Sequence, residues 1–209
     1  FSKRTDDQVS LSVIGRLNEM EALRQALRAT DAGQGKLVYV HGISGAGKTA
    51  LVRAFLVEVQ KERQAVILEG RCYAREAVPY KAFDGIVDEI CQFLLNLPQH
   101  EVQSFLPGDI ESLARVFPVL KRVEGVRKVR RRGQHDFDPV EVRRRAVIAL
   151  RELLQRIAND RPLLLFIDDL QWLDTDSAKL LESLLKPPDT PNLLLLTTLR
   201  TEDREKNPL

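Results

Sequence analysis

Residues 38–55 read "VYVHGISGAGKTALVRAF": an apolar run, a loop of glycines and small residues ending in Lys48 and Thr49, then apolar positions at helical spacing. No other stretch restricts the fold so tightly. "KLVYVHG" is rich in β-branched and aromatic residues and bounded by glycines, which predicts a buried strand. From Lys48 to Lys61 the residues Leu51, Val52, Phe55, Leu56 and Val59 recur every three or four positions, the period of a helix. "AVILEG" supplies a second strand, so strand, loop, helix and strand follow in the order that builds a parallel sheet.

Gly42, Gly47, Lys48 and Thr49 fit the spacing G-x-x-x-x-G-K-[ST], and the flanking strand and helix are the context this phosphate-binding loop requires. Backbone N–H groups converge on an anion only where side chains do not crowd them, hence Gly42, Gly45 and Gly47 with Ser44 and Ala46 between. The helix beginning at Lys48 adds its unpaired amides, Ala50 among them, and the positive end of its dipole. Lys48 would reach the β and γ phosphates, and the Thr49 hydroxyl would ligate Mg²⁺. The competing account is a glycine-rich turn with a solvent-facing lysine.

A second constellation lies in "LLLFIDDLQWLD". The apolar run before it is too continuous to have a wet face, as expected of a central parallel strand. Asp168 at its end stands where a magnesium-facing carboxylate of the Walker B type belongs, and Asp169 beside it could polarise a water. Alternatively, both carboxylates merely end the strand and cap the next helix. Arg200 closes a fourth apolar run, "LLLLTTLR", where a guanidinium could touch a γ phosphate or simply be solvated.

Elsewhere, Leu17, Met20, Leu23, Ala26 and Leu27 predict a helix from Arg16 to Arg28, ended by "DAGQG". Residues 79–159 read as helical with breaks at "NLP", "FLPGD" and "RRRGQHDFDP"; the last helix runs from Val140 to Ala158, and a short one spans Ser177 to Leu185. Two cysteines, Cys72 and Cys91, and three scattered histidines suggest neither a disulfide framework, a zinc site nor a hydrolase triad. No apolar run approaches the roughly 20 residues of a membrane span, and the first ten lack a signal peptide, so a cytoplasmic protein is expected. The start at Phe1 and the stop at "REKNPL" suggest an excised piece of a longer one. The charge is +2 overall, but residues 121–145 hold ten Lys/Arg against four Asp/Glu, and no aromatic interleaves the run "VRKVRRRG", more in keeping with a solvated run than a polyanion site.

These motifs resemble the AAA-like ATPase domains of the STAND class, signal-transduction ATPases with numerous domains. "VIGRLNEMEAL" is similar to the family's G-R-x-x-E entry, filled here by Gly15, Arg16, Glu19 and Leu23; "GISGAGKTAL" resembles its phosphate loop, "EGRCYAREAVPYKAF" its entry to a helical insert, and "FIDDLQWLD" its D-D-x-x-W-x-D signature. The resemblance implies a P-loop NTPase of the α/β class: a three-layer sandwich with a central, mostly parallel sheet and a helical insert, lacking the family's lid and winged-helix modules. It implies one domain over residues 1–209, with an adenine-side segment and helix at 11–32, the P-loop unit at 36–71, the insert at 79–159, and the Walker B and sensor strands at 160–200. Val13, Ile14 and Arg16 become nucleotide contacts by the same resemblance, Asp168 the magnesium carboxylate, Asp169 the residue that orients water, and Arg200 a γ-phosphate sensor. Trp172 and Asp174 match the signature, with a buried packing tryptophan and a helix N-cap as their duller roles.

The leading expectation is an ATP- and Mg²⁺-dependent switch whose partners are adenine nucleotide and other domains of its parent chain, with self-association on ATP binding left open. Two alternatives remain. A DNA-associated ATPase resembling origin-recognition initiators would use the basic run, and a small-molecule kinase would use the insert as an acceptor pocket. A GTPase is disfavoured because N-K-x-D is missing.

Overall fold

Four apolar segments pair into one sheet: β1 (Lys36–Gly42), β2 (Val66–Arg71), β3 (Leu163–Asp168) and β4 (Leu194–Arg200). All pairings are parallel, in the spatial order β1-β4-β3-β2. The computed structural model describes residues 15–74, 79–128, 138–188 and 190–202. Helix α1 (Leu17–Asp31) precedes β1, and α2 (Lys48–Glu62) joins β1 to β2. Between β2 and β3 come α3 (Lys81–Leu95), α4 (Gln99–Phe105), α5 (Ile110–Val116), a 3-10 turn (Pro118–Arg122), α6 (Glu124–Arg127) and α7 (Pro139–Asp160). A second 3-10 turn (Leu170–Trp172) and α8 (Thr175–Leu185) lead into β4.

The helices end where local chemistry ends them. Asp109, Asp138 and Asp174 cap α5, α7 and α8 by accepting hydrogen bonds from the Ser112, Val140 and Ser177 amides. "NLP" and "FLPGD" break the insert at the predicted places, because proline removes an amide and disfavours the helical conformation before it. No helix among the described residues is long and apolar enough to cross a membrane.

Alternation along the strands divides the interior in two. Leu163, Leu165 and Ile167 of β3 face the core shared with α3–α8, whereas Leu164 and Phe166 face the core shared with α1 and α2. The chain travels from β1 to the far strand β2 through α2, then returns through β3 and β4. Crossovers of parallel strands share one hand, so that reversal places helices on both faces of the sheet. The outcome is the expected three-layer α/β sandwich.

One strand departs from the expectation. β1 is not buried: it is an edge of the described sheet, and its exposed positions include Leu37 (39%) and Tyr39 (40%). Its apolar composition suggested an interior place, but composition carries no information on strand order. Its other face does enter the core, with Val38 and Val40 packed under α1 and α2.

The opposite edge, β2, is covered by α3 at very short range. A methyl group on Gly70 would collide with the Ala82 carbonyl oxygen, and one on Gly85 would stand 2.8 Å from the Glu69 carbonyl oxygen. The Glu89 side chain of α3 accepts a hydrogen bond from the Glu69 amide, satisfying a donor on the sheet edge. Burial pushes the Glu89 carboxyl up to about 7, with the neighbouring Glu69 and Asp88 charges adding to the effect.

Two predictions follow from this contact. Gly70→Ala and Gly85→Ala should each cost about 1–3 kcal/mol in chemical denaturation, as overpacking does, while Gly108→Ala, which meets nothing within 4 Å, should stay within about 0.5 kcal/mol of wild type. For Glu89, the folded chain keeps a proton that the unfolded chain releases from the ordinary value of 4.5 upwards. Its contribution to stability is complete below pH 4.5 and is lost as pH rises through about 7. Glu89→Gln should therefore unfold at a higher temperature than wild type at pH 8, with the gap closing toward pH 5; a constant gap would contradict the assignment.

Candidate functional site

The loop between β1 and α2 curls because two of its glycines take left-handed backbone angles, Gly45 at φ 77° and Gly47 at φ 76°. It follows the carboxyl end of β1, the end at which parallel α/β sheets hold ligands. Lys48 lies over its own loop, 8% exposed, donating from Nζ to the carbonyls of Gly42 and Ile43 at 2.9 Å each. The Glu202 carboxylate accepts from the Ser44 amide at 3.2 Å, so an anionic group already finds the loop's donors.

Arg16, from the start of α1, donates its guanidinium to the Ala46 carbonyl, and a methyl on Gly47 would lie 3.6 Å from it. Arg16 thus stands at the phosphate loop. Its proposed companions Val13 and Ile14 lie outside the described residues.

Asp168 ends β3 and is 3% exposed. Its Oδ1 accepts the Thr49 hydroxyl at 2.8 Å and the Thr198 hydroxyl at 2.6 Å. The first bond joins the phosphate loop's helix to the acidic strand end across 119 residues of sequence. Thr49 and Asp168 are therefore in direct contact, with Lys48 the residue before Thr49 at the start of α2. Both Asp168 partners present oxygen, the donor type magnesium takes from protein while phosphates and waters complete its shell. Among the described residues no cluster of three or more His, Cys, Asp or Glu could hold a metal by itself.

Asp169 turns away from its neighbour through a left-handed backbone, φ 58° and ψ 45°. Its amide donates to Thr198 Oγ1 at 2.8 Å. Gln171 donates to its Oδ1 at 3.0 Å and Arg71 to its Oδ2 at 3.2 Å, while Arg200 Nε lies 4.0 Å away. Arg200 pairs in register with Gly42, so its side chain leaves the sheet beside the first residue of the loop.

Thr198, Gln171 and Arg71 were not singled out from the sequence. The signal for Thr198 is visible in hindsight: two threonines interrupt the otherwise apolar "LLLLTTLR", and the one on the Asp168 side bridges both aspartates. Asp174 is the N-cap of α8. Trp172 is not a buried packing residue; it is 39% exposed, because the short 3-10 turn directs Leu170 and Leu173 inward in its place. Cys72 and Cys91 are buried free thiols, and burial holds Cys72 protonated by raising it to about 12.

The chain is similar in sequence to proteins of two organisms. An uncharacterized protein of Rhizobium meliloti strain 1021 is 25% identical over 201 residues, and a hybrid signal transduction histidine kinase of Dictyostelium discoideum is 23% identical over 191. The alignments cover 90% and 85% of this chain but only 18% and 5% of those proteins, so the chain spans a small part of their length. A Walker-type ATPase of Pyrococcus abyssi, 19% identical, covers 88% of this chain and 44% of its own, with a TM-score of 0.40. The model of the AAA ATPase domain matches residues 12–196, and the chain, with its phosphate loop joined to an acidic strand end, belongs to that family.

Proposed function

We propose that this AAA ATPase domain is an ATP-binding, ATP-hydrolysing switch of the STAND class, working within a longer multidomain signalling protein. The observation that carries the proposal is the 2.8 Å bond from Thr49 to Asp168, a contact between the first turn after the glycine loop and a buried carboxylate. The small share of each relative that the chain spans supports a larger parent, and the histidine kinase relative supports a signalling role. On this view residues 1–209 form one ATPase module with the subdivisions expected from sequence, and the protein is cytoplasmic.

The residues divide the work by position. Amides from Gly42, Ser44, Gly45, Ala46, Gly47 and Ala50 hold the phosphates, and Lys48 leaves its two carbonyls for the β and γ oxygens. Arg16 braces the loop from beneath, with Val13 and Ile14 assigned to the adenine. A magnesium ion held by Thr49 and Asp168 would neutralise phosphate charge. Asp169 orients the attacking water, and Arg200, beside the loop at the end of β4, meets the γ phosphate. Because only ATP brings that γ phosphate, these contacts differ between ATP and ADP, and a ligand shifts a conformational equilibrium only through such differences.

The basic run gives little support to a DNA-binding role. In its described part Lys128 pairs with Glu124 at 2.7 Å, and Arg144 and Arg145 both reach Glu141 at 2.8 Å, holding that carboxyl down at about 2. Residues 129–137 lie outside the described residues.

Nucleotide titration tests the proposal. Lys48→Ala should weaken ATP binding about tenfold or more, the loss of charge-assisted hydrogen bonds, and Asp168→Asn should abolish the dependence of affinity on magnesium. Unchanged affinity and magnesium response in both variants would refute it. Phosphate released to water, rather than transferred to an added acceptor, separates an ATPase from a kinase.

A further inference from the structure

Gln171 lies in the 3-10 turn that follows the aspartate pair and is 6% exposed. Its side chain spans two strand ends: Nε2 donates to Asp169 Oδ1 at 3.0 Å, and Oε1 accepts from the Arg200 amide at 3.3 Å. The two ends of the carboxamide cannot be exchanged, because a main-chain amide only donates and an ionised carboxylate only accepts. The surroundings therefore hold glutamine in one orientation. The bond from the Asp169 amide to Thr198 fixes the main chain there but leaves the plane of the carboxylate open, since the terminal torsion of aspartate is broad and roughly two-fold. Of the two side chains that hold that plane, Arg71 is half-exposed, where ion pairs are weak, and Gln171 is buried, where a hydrogen bond to a charged group counts for more.

We propose that Gln171 is a positioning residue for hydrolysis: it aims the Asp169 carboxylate from the main chain of Arg200, so that the group assigned to the water and the strand end assigned to the γ phosphate keep one fixed geometry. The inference rests on the proposed function above and deepens it by giving a role to a residue outside the phosphate loop and the acidic pair. Each oxygen of a carboxylate has room for a second hydrogen bond, so Asp169 Oδ1 can hold Gln171 and a water together. What Gln171 supplies is direction. Direction is costly to lose, since a misplacement of about 1 Å at a reacting group lowers a rate about a hundredfold. Arg200 Nε stands 4.0 Å from the same Oδ1, too long for a hydrogen bond, so Arg200 reaches Asp169 through Gln171 rather than through its own guanidinium.

An isosteric exchange tests the role. Gln171→Glu keeps the size of the side chain but turns the donor facing Asp169 into an acceptor. Steady-state ATP hydrolysis with magnesium, equilibrium binding of ADP and thermal unfolding would be measured for wild type, Gln171→Glu, Asp169→Asn and the double variant. Gln171→Glu should lower kcat about ten- to hundredfold, while KM and ADP affinity stay within about twofold of wild type, the pattern of an interaction felt only in the transition state. In the double variant the carboxamide and the carboxylate have changed places and the bridge can form again. Its unfolding temperature should therefore return toward that of wild type, with kcat no higher than in Asp169→Asn. Should Gln171→Glu fail to fold, Gln171→Met, of similar length but without donor or acceptor, should still lower kcat at unchanged KM. A kcat within about twofold of wild type in the folded variant, ADP affinity falling together with kcat, or a double variant no more stable than Gln171→Glu would overturn the assignment. Failure of the underlying function reads differently: wild type would then release no phosphate, or Lys48→Ala would bind nucleotide as wild type does, and the positioning role falls with it.

Discussion

One carboxylate oxygen, Oδ1 of Asp168, accepts hydrogen bonds from the hydroxyls of Thr49 at the start of α2 and Thr198 on β4. Three elements that arrive from distant parts of the chain are pinned at that atom. A carboxylate buried this deeply needs hydrogen-bond donors around it, and the two hydroxyls supply them to Oδ1 without an opposing charge. A lysine or arginine in their place would occupy the oxygen with a salt bridge and compete with any cation. Hydroxyls give way more easily, so the pin holds the site together yet leaves the carboxylate available.

The sheet makes that meeting repeatable. With β4 between β1 and β3, the ends carrying the loop, Thr198 and Asp168 stand side by side, and parallel pairing sends all of them to the same edge. Leucines on both faces of β3 and β4, with Phe166 on one face of β3, fix the register, since a slip of one residue would exchange the two cores. The close approach of α3 to β2 at Gly70 and Gly85 does the same at the far edge, setting where Arg71 emerges.

The parts of the site that were legible in the sequence are those contiguous along the chain. Lys48 and Thr49 follow their glycines directly, and Asp168 and Asp169 close a run of apolar residues, so spacing alone was enough to select them. Thr198, Gln171 and Arg71 matter through register between strands that are far apart in sequence, and register is fixed by packing rather than by any local pattern. The same limitation explains β1. Its residues have the apolar character of an interior strand, and only the strand order reveals that one side is open. Trp172 failed for a smaller reason: a three-residue 3-10 turn rotates successive side chains by about a third of a turn, so its leucines take the inward directions.

Asp168 and Asp169 are neighbours, yet they serve different partners, and the backbone explains how. In continued extended chain, Asp169 would point to the opposite face of the sheet from Asp168 and away from the loop. The left-handed turn at φ 58° breaks that alternation and brings the second carboxylate round beside the ends of β2 and β4. Aspartate is among the few residues other than glycine that enter this conformation at modest cost, because its short side chain crowds the backbone little and bonds locally. Thr198 secures the turn from both sides, donating to Asp168 and accepting from the Asp169 amide. One hydroxyl thus fixes the angle between a carboxylate that faces inward to Thr49 and another that faces outward to Arg71, so movement of β4 relative to β3 would be felt at both.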